Sequence, residues 1–215
     1  MRPEPVCPRC SGPLRHPGLM SSAWTCPNHG EVAPFHLPGP GAATADALHW
    51  LSKQSRVPVW VPWPLPAGWL ATGVAYAGDD RTGAAAAVVS VSGPAPLGGP
   101  ADLVLVAEEP GVGLGARYAG LPGPDAGPDA PYLSERTAPH ARVHAAGHPT
   151  ALWSVDDADD RSVYVGEALG QWLYVVVWPE TAALVLLDDF ALVDLRDVGF
   201  PVDVPSGAPS PRLTP

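Results

Sequence analysis

Cysteine is scarce in this sequence, and its placement decides much of what can be read. There are three cysteines among 215 residues, all within the first 26. So few, so clustered, exclude the disulfide framework of a small secreted domain. Charge is sparse as well, at 16% of the chain against the usual quarter. Its sign is also wrong for a polyanion binder, since the formal net charge is −10. Arg2, Arg9 and Arg15 against Glu4 and Glu31 give residues 1–40 a net of +1, which leaves −11 on the remainder. Long apolar runs are missing too. The longest, Trp172 to Leu187, is split by Pro179 and Glu180, and a membrane span needs about 20 such residues. Pro3, Pro5 and Pro8 interrupt the start of the chain, where a secretory leader would carry an apolar stretch. These absences predict a cytoplasmic protein with reduced thiols and no membrane contact.

What is abundant is proline (29) and glycine (23), alongside 46% apolar residues. A sizeable core is available, and part of the chain must be loop, because proline is excluded from helix interiors and central strands.

The cysteines follow a pattern: Cys7-Pro-Arg-Cys10, then Cys26-Pro-Asn-His29, a C-x2-C-x15-C-x2-H spacing. A tetrahedral zinc ion takes four such ligands, and a pair two residues apart supplies two from one tight turn. Each pair has proline inside and glycine (Gly12, Gly30) shortly after, which lets the backbone curl round the sulfur. Cys7, Cys10, Cys26 and His29 are therefore the expected ligands of a structural zinc, with His16 and His36 as alternatives for the fourth place. Short strands around Trp24 and from Glu31 to His36 would complete a zinc ribbon over residues 1–36, with Trp24 and Phe35 as its miniature core. A redox-active Cys-x-x-Cys would sit at the start of a helix after a strand, a context these prolines spoil.

Residues 37–43 read as a linker, and 44–51 as a short helix with Leu48 and Leu51 on one face. From Val57 the pattern becomes short β-rich runs. Val57 to Trp69 holds four prolines, which predicts an edge or surface-laid segment. Further strands are expected at 70–77, 84–92, 102–108, 141–145, 150–155, 162–166, 171–178 and 182–187, then a closing helix at 189–197. Residues 78–83 and 156–161 are acidic hairpin turns, 111–139 a long loop, and 201–215 a disordered tail. The fold class is α+β: a small zinc ribbon, then a mainly antiparallel, curved sheet domain over 44–200 with few helices.

The Cys-Pro-x-Cys-Ser-Gly head, the Val57–Trp69 segment, Gly78-Asp-Asp-Arg81, Ala107 to Gly120, Gly166 to Trp172 and Trp178-Pro-Glu180 together resemble an uncharacterised family of actinobacterial proteins. The resemblance spans nearly the whole chain and implies a layout but no activity. A fainter likeness, carried by Pro66-Ala-Gly-Trp69 and Gly147 to Trp153, is to sheet domains of anti-sigma and lipoprotein-carrier proteins.

Other features suggest chemistry. Gly111, Gly113 and Gly115 follow a strand as phosphate-cradling glycines do, but Glu108, Glu109 and Pro110 intervene and the third glycine spacing is not met. His140, His144 and His148 share one side of a strand yet span about 26 Å, too far for one ion. Glu108 and Glu109 are the carboxylates nearest the glycine loop. Trp60, Trp63 and Trp69 among their prolines could form an exposed aromatic surface for a peptide or protein. The preferred expectation is a zinc-binding adaptor or regulator acting through a protein partner rather than by catalysis. One alternative is an enzyme with its pocket near Glu108, Glu109 and residues 111–119. The other is a nucleic-acid adaptor using the head alone.

Overall fold

The computed structural model describes residues 4–19, 21–37, 44–125, 137–155, 160–187, 190–197 and 203–214. Most of the proposed 37–43 linker and most of the 156–161 turn lie outside these residues.

The head contributes three two-residue strands, β1 (Thr25–Cys26), β2 (Gly30–Glu31) and β3 (Phe35–His36). Helix α1 (Thr44–Gln54) follows, then β4 (Trp60–Pro62), β5 (Leu70–Asp79), β6 (Gly83–Pro94) and β7 (Pro100–Glu108). After the short helix α2 (Leu114–Ala119) come β8 (Ala141–Ala145), β9 (His148–Val155), β10 (Ser162–Ala168), β11 (Gln171–Trp178) and β12 (Ala191–Asp194). β1 and β2 form their own ladder. The other ten make one sheet in the order β3-β5-β6-β7-β11-β10-β9-β8-β12-β4. Every pairing is antiparallel except that of β8 with β12.

The central strands are apolar in unbroken runs because both faces of the sheet are covered. Leu103, Leu105, Leu173 and Val175 face one cluster, which takes in Leu48 and Leu51 of α1, Trp60 and Val61 of β4 and Leu186. Val104, Val106, Tyr174 and Val176 face the other, with Leu114 and Tyr118 of α2, Phe35 of the head and Leu213. Each such side chain contributes about 1.5–3 kcal/mol on burial. Because β4 ends the strand order yet shares a cluster with β6 and β7, the sheet curls back on itself.

Several expectations change. Residues 182–187 lie in a 3-10 helix, Glu180–Leu187, not a strand. The closing helix is instead β12, whose Leu192 and Val193 pair with Pro62 and Val61. Within the expected long loop, residues 114–119 are helical and largely buried; residues 126–136 lie outside the described set. Gly120 ends α2 in the left-handed conformation, φ 72°, that favours glycine. Residues 203–214 are packed rather than disordered: Val204 and Leu213 are buried, and Ser210 donates to Asp102 at 2.9 Å.

Candidate metal centre

Two turns deliver the ligands. In the first, Ser11 donates its N–H to the carbonyl of Cys7 and Cys7 donates to Gly12, both at 2.9 Å. The left-handed residue here is Ser11 (φ 52°) rather than the glycine. Gly12 matters for space: a Cβ there would stand 3.2 Å from Cys10 Sγ. In the second turn Gly30 takes φ 69°, as expected, and β1 and β2 close the loop around Cys26 and His29.

The four ligand atoms of Cys7, Cys10, Cys26 and His29 lie within 4.8 Å of one another. His29 Nδ1 is 3.5 Å from Cys7 Sγ and 3.5 Å from Cys26 Sγ. Cys10 and Cys26 sulfurs are 3.8 Å apart, too far for a disulfide at about 2.05 Å. A metal bonded at ~2.3 Å to sulfur and ~2.0 Å to nitrogen would have tetrahedral edges of about 3.8 Å between sulfurs and about 3.5 Å between sulfur and nitrogen. These three separations match those edges and the remaining ones stay within 4.8 Å, so the donor set could hold a tetrahedral ion. Burial pushes the Cys7 thiol up; Cys26, burial notwithstanding, is held down by N–H groups of Asn28 and His29. A cation at the common centre would offset the burial of Cys7 and favour its thiolate. The alternative histidines lie elsewhere, His16 against the Trp24 ring at 4.3 Å and His36 stacked on Tyr76 at 4.7 Å.

The head is fastened to the body at several points. Phe35, itself tied to Val6 of the head by N–H bonds at 2.8 and 3.0 Å, pairs with Ala77 at the edge of the large sheet. Phe35 thus belongs to the body's core rather than to a private core with Trp24. Arg81 donates to the Ser22 carbonyl at 3.0 Å. Arg9, between two of the ligands, donates to the carbonyls of Val112 (3.2 Å) and Gly111.

The other singled-out residues do not converge on chemistry. Glu108 is fully buried at the end of β7, where its Oε2 accepts from Leu114 N (2.8 Å) and Gly115 N (2.9 Å). It caps α2, whose own N-cap, Gly113, has no side chain to do so. Burial pushes its pKa up to about 8 despite those two bonds. Glu109 instead pairs with Arg56 at 2.7 Å. The two carboxylates therefore share no pocket. His140, His144 and His148 are exposed along β8 and β9, and Ser154 N donates to His140 Nδ1 at 3.1 Å. Trp60 and Trp69 are 2% and 4% exposed, so they cannot form an aromatic docking surface; Trp63 is half-buried. Their apolar bulk outweighed their proline context. Among the described residues, no helix is long and apolar enough to cross a membrane.

Sequence reasoning missed two features of the surroundings. One is the strap from Arg9 to the 111–112 backbone, which no local pattern could signal across a hundred residues. The other is a groove between head and β5–β6 turn, lined by Pro17, Ser22, Trp24, Asp79, Asp80 and Arg81.

A model of a family of unknown function (DUF6758) matches residues 1–213. No curated protein and no solved structure is significantly similar.

Proposed function

The chain belongs to this family of unknown function over nearly its whole length, so no activity transfers to it, and we propose from the geometry that it is a zinc-dependent adaptor or regulatory protein. The zinc is structural. The observation that carries this is the closed ligand set, in which Cys7, Cys10, Cys26 and His29 supply all four places of a tetrahedron. Such a site keeps no open position for a substrate or an activated water. It also takes up every cysteine of the chain, leaving no thiol nucleophile. Its location is the reducing cytoplasm, where such thiolates persist, and its source the actinobacteria that the sequence resembles.

The body supplies the scaffold and the head the contact surface. The groove beside Trp24 combines a half-buried aromatic with Asp79, Asp80 and Arg81, the mixture of aromatic and arginine that protein interfaces favour. It exists only while the head is folded against the β5–β6 turn, which makes a partner's binding depend on zinc. A nucleic-acid role finds less support, because Arg9 reaches into the body and the chain is strongly acidic.

The test is metal analysis of the purified protein beside capture of partners from its own cells. Stoichiometric zinc, with a partner lost on both Cys26→Ser and Trp24→Asp, supports the reading. Protein without zinc overturns the centre, and a partner indifferent to both substitutions overturns the role given to the head.

A further inference from the structure

The three sulfurs of the centre differ in their access to solvent. Cys7 and Cys26 are buried, at 0% and 3% exposure, whereas Cys10 is exposed. Gly12 keeps one flank of Cys10 open, since a Cβ there would stand 3.2 Å from its Sγ. The buried Cys26 Sγ lies 3.8 Å from that exposed sulfur. A disulfide needs about 2.05 Å, so a shift of about 1.8 Å joins them.

The pair bridges the two ligand turns, which are held differently. The first is pinned to the body. Cys7 donates to Gly12 and Ser11 to Cys7, while Arg9 donates to the carbonyls of Val112 and Gly111. Closing a ring through Cys7 and Cys10 would deform that pinned turn. The second turn rests on the two-residue ladder of β1 and β2 and on the bonds between Thr25 and Arg15. These contacts lie within the head, so Cys26 can advance on Cys10 without disturbing the large sheet.

On the footing of the zinc centre proposed above, we infer that Cys10 and Cys26 are a site of reversible oxidation, at which a hydroperoxide joins the two sulfurs and opens the centre. Coordination holds each sulfur as a thiolate, the nucleophilic form, and oxidants select an accessible thiolate with a second one beside it. The Cys10 thiolate first attacks hydrogen peroxide: an S–O bond forms, the O–O bond breaks, and the departing hydroxide takes a proton from solvent. The Cys26 thiolate then attacks the sulfenic sulfur: the S–S bond forms, the S–O bond breaks, and a second hydroxide leaves and is protonated. The two sulfurs have given up two electrons, and the peroxide has become two waters. Cys7 and His29 remain, half of the tetrahedron that zinc requires. The new bond also cinches the stretch that carries Pro17, Ser22 and Trp24, the head's wall of the groove against Asp79, Asp80 and Arg81. Oxidation thus withdraws the surface offered to the partner, and a dithiol reductant with zinc restores it.

The experiment exposes the full-length, zinc-loaded protein to hydrogen peroxide under conditions that oxidise free cysteine, and follows zinc release with a chromogenic chelator. Trypsin then separates the cysteines, because cleavage after Arg9, Arg15 and Lys53 puts one on each of three peptides, Met1–Arg9, Cys10–Arg15 and His16–Lys53. The expected result is complete loss of the bound zinc, a cross-link between the second and third peptides, and recovery of both thiols and metal with dithiothreitol and zinc. Cys10→His, which keeps a fourth ligand without a sulfur to oxidise, should retain its zinc under the same exposure. Zinc retained with all thiols reduced, a cross-link to the Met1–Arg9 peptide, or zinc lost from Cys10→His as fast as from wild type overturns the inference. The peptide map of the wild type decides the pairing even where the variant fails to fold. Zinc content is measured before exposure. Untreated protein without zinc would sink the metal reading, while the cross-link, which needs only the two sulfurs, would still stand or fall by the same map.

Discussion

The head and the body of this molecule are held together by opposite means. The body has two apolar clusters on the faces of a ten-stranded sheet, with Leu103, Leu173, Val175 and Val176 all fully buried. The head has three strands of two residues each and lends its one fully packed aromatic, Phe35, to the body. A segment so small cannot bury enough surface to order itself, so in the proposed function zinc ligation takes over the role that area plays elsewhere. Stability in the body is spread over dozens of side chains, while in the head it is concentrated at one point.

The sharpest way to break that contrast is Cys26→Ser or chelation. Either should remove one zinc per chain and unfold residues 4–31, since structural zinc contributes an apparent ~10–16 kcal/mol in small metal-dependent units. Amide spectra should show the β6, β7 and β11 resonances surviving while those of the head collapse; loss of the whole spectrum would mean that the two regions are not separable. The reciprocal experiment is Leu173→Ala in the centre of β11. It should cost about 2–5 kcal/mol in denaturant unfolding and leave zinc stoichiometry unchanged.

A third test concerns a charge inside the body. The Glu108 pKa is raised from an ordinary 4.5 to about 8 in the folded chain by burial. Because the folded value is the higher one, the stability this residue contributes is complete below about pH 4.5 and is lost as pH rises toward 8. Wild type should therefore lose thermal stability across that window. Glu108→Gln, which keeps an acceptor for Leu114 and Gly115, should flatten the dependence; an unchanged slope would assign it to other groups. The smallest effect is expected at the surface. Arg56→Ala removes the partly exposed pair with Glu109 and should change stability by less than ~1 kcal/mol, measured by the same unfolding curves.

The same contrast explains what could be read in advance. Metal ligation is written in local spacing, so Cys7, Cys10, Cys26 and His29 are legible as a set. Strands such as 171–178 are legible because apolar runs mark them. The 57–69 prolines correctly announce an edge, since β4 ends the sheet, but the burial of Trp60 and Trp69 was decided by the distant strands that cover them. β12 has four residues, and its partners are β8 and β4, far off in sequence; nothing in residues 189–197 alone distinguishes it from a helix. α2 was hidden by its flanking glycines, and Glu108 could be marked as unusual but not as a helix cap. Residues 203–214 look like a tail by composition because only Val204, Ser210 and Leu213 carry their packing.

That last segment has a consequence when set beside the head. The outer margin of β5 would otherwise present a row of unpaired backbone groups. At one end Phe35 and His36 cover it, pairing with Ala77 and Tyr76. At the other, Ala71 donates to the Pro205 carbonyl at 2.8 Å and accepts from Gly207 at 2.9 Å. Segments from opposite ends of the sequence thus form a selvedge along a single strand. Stripping away either one would bare a template for β-sheet polymerisation, so a chain truncated before Val204 should show itself first as turbidity.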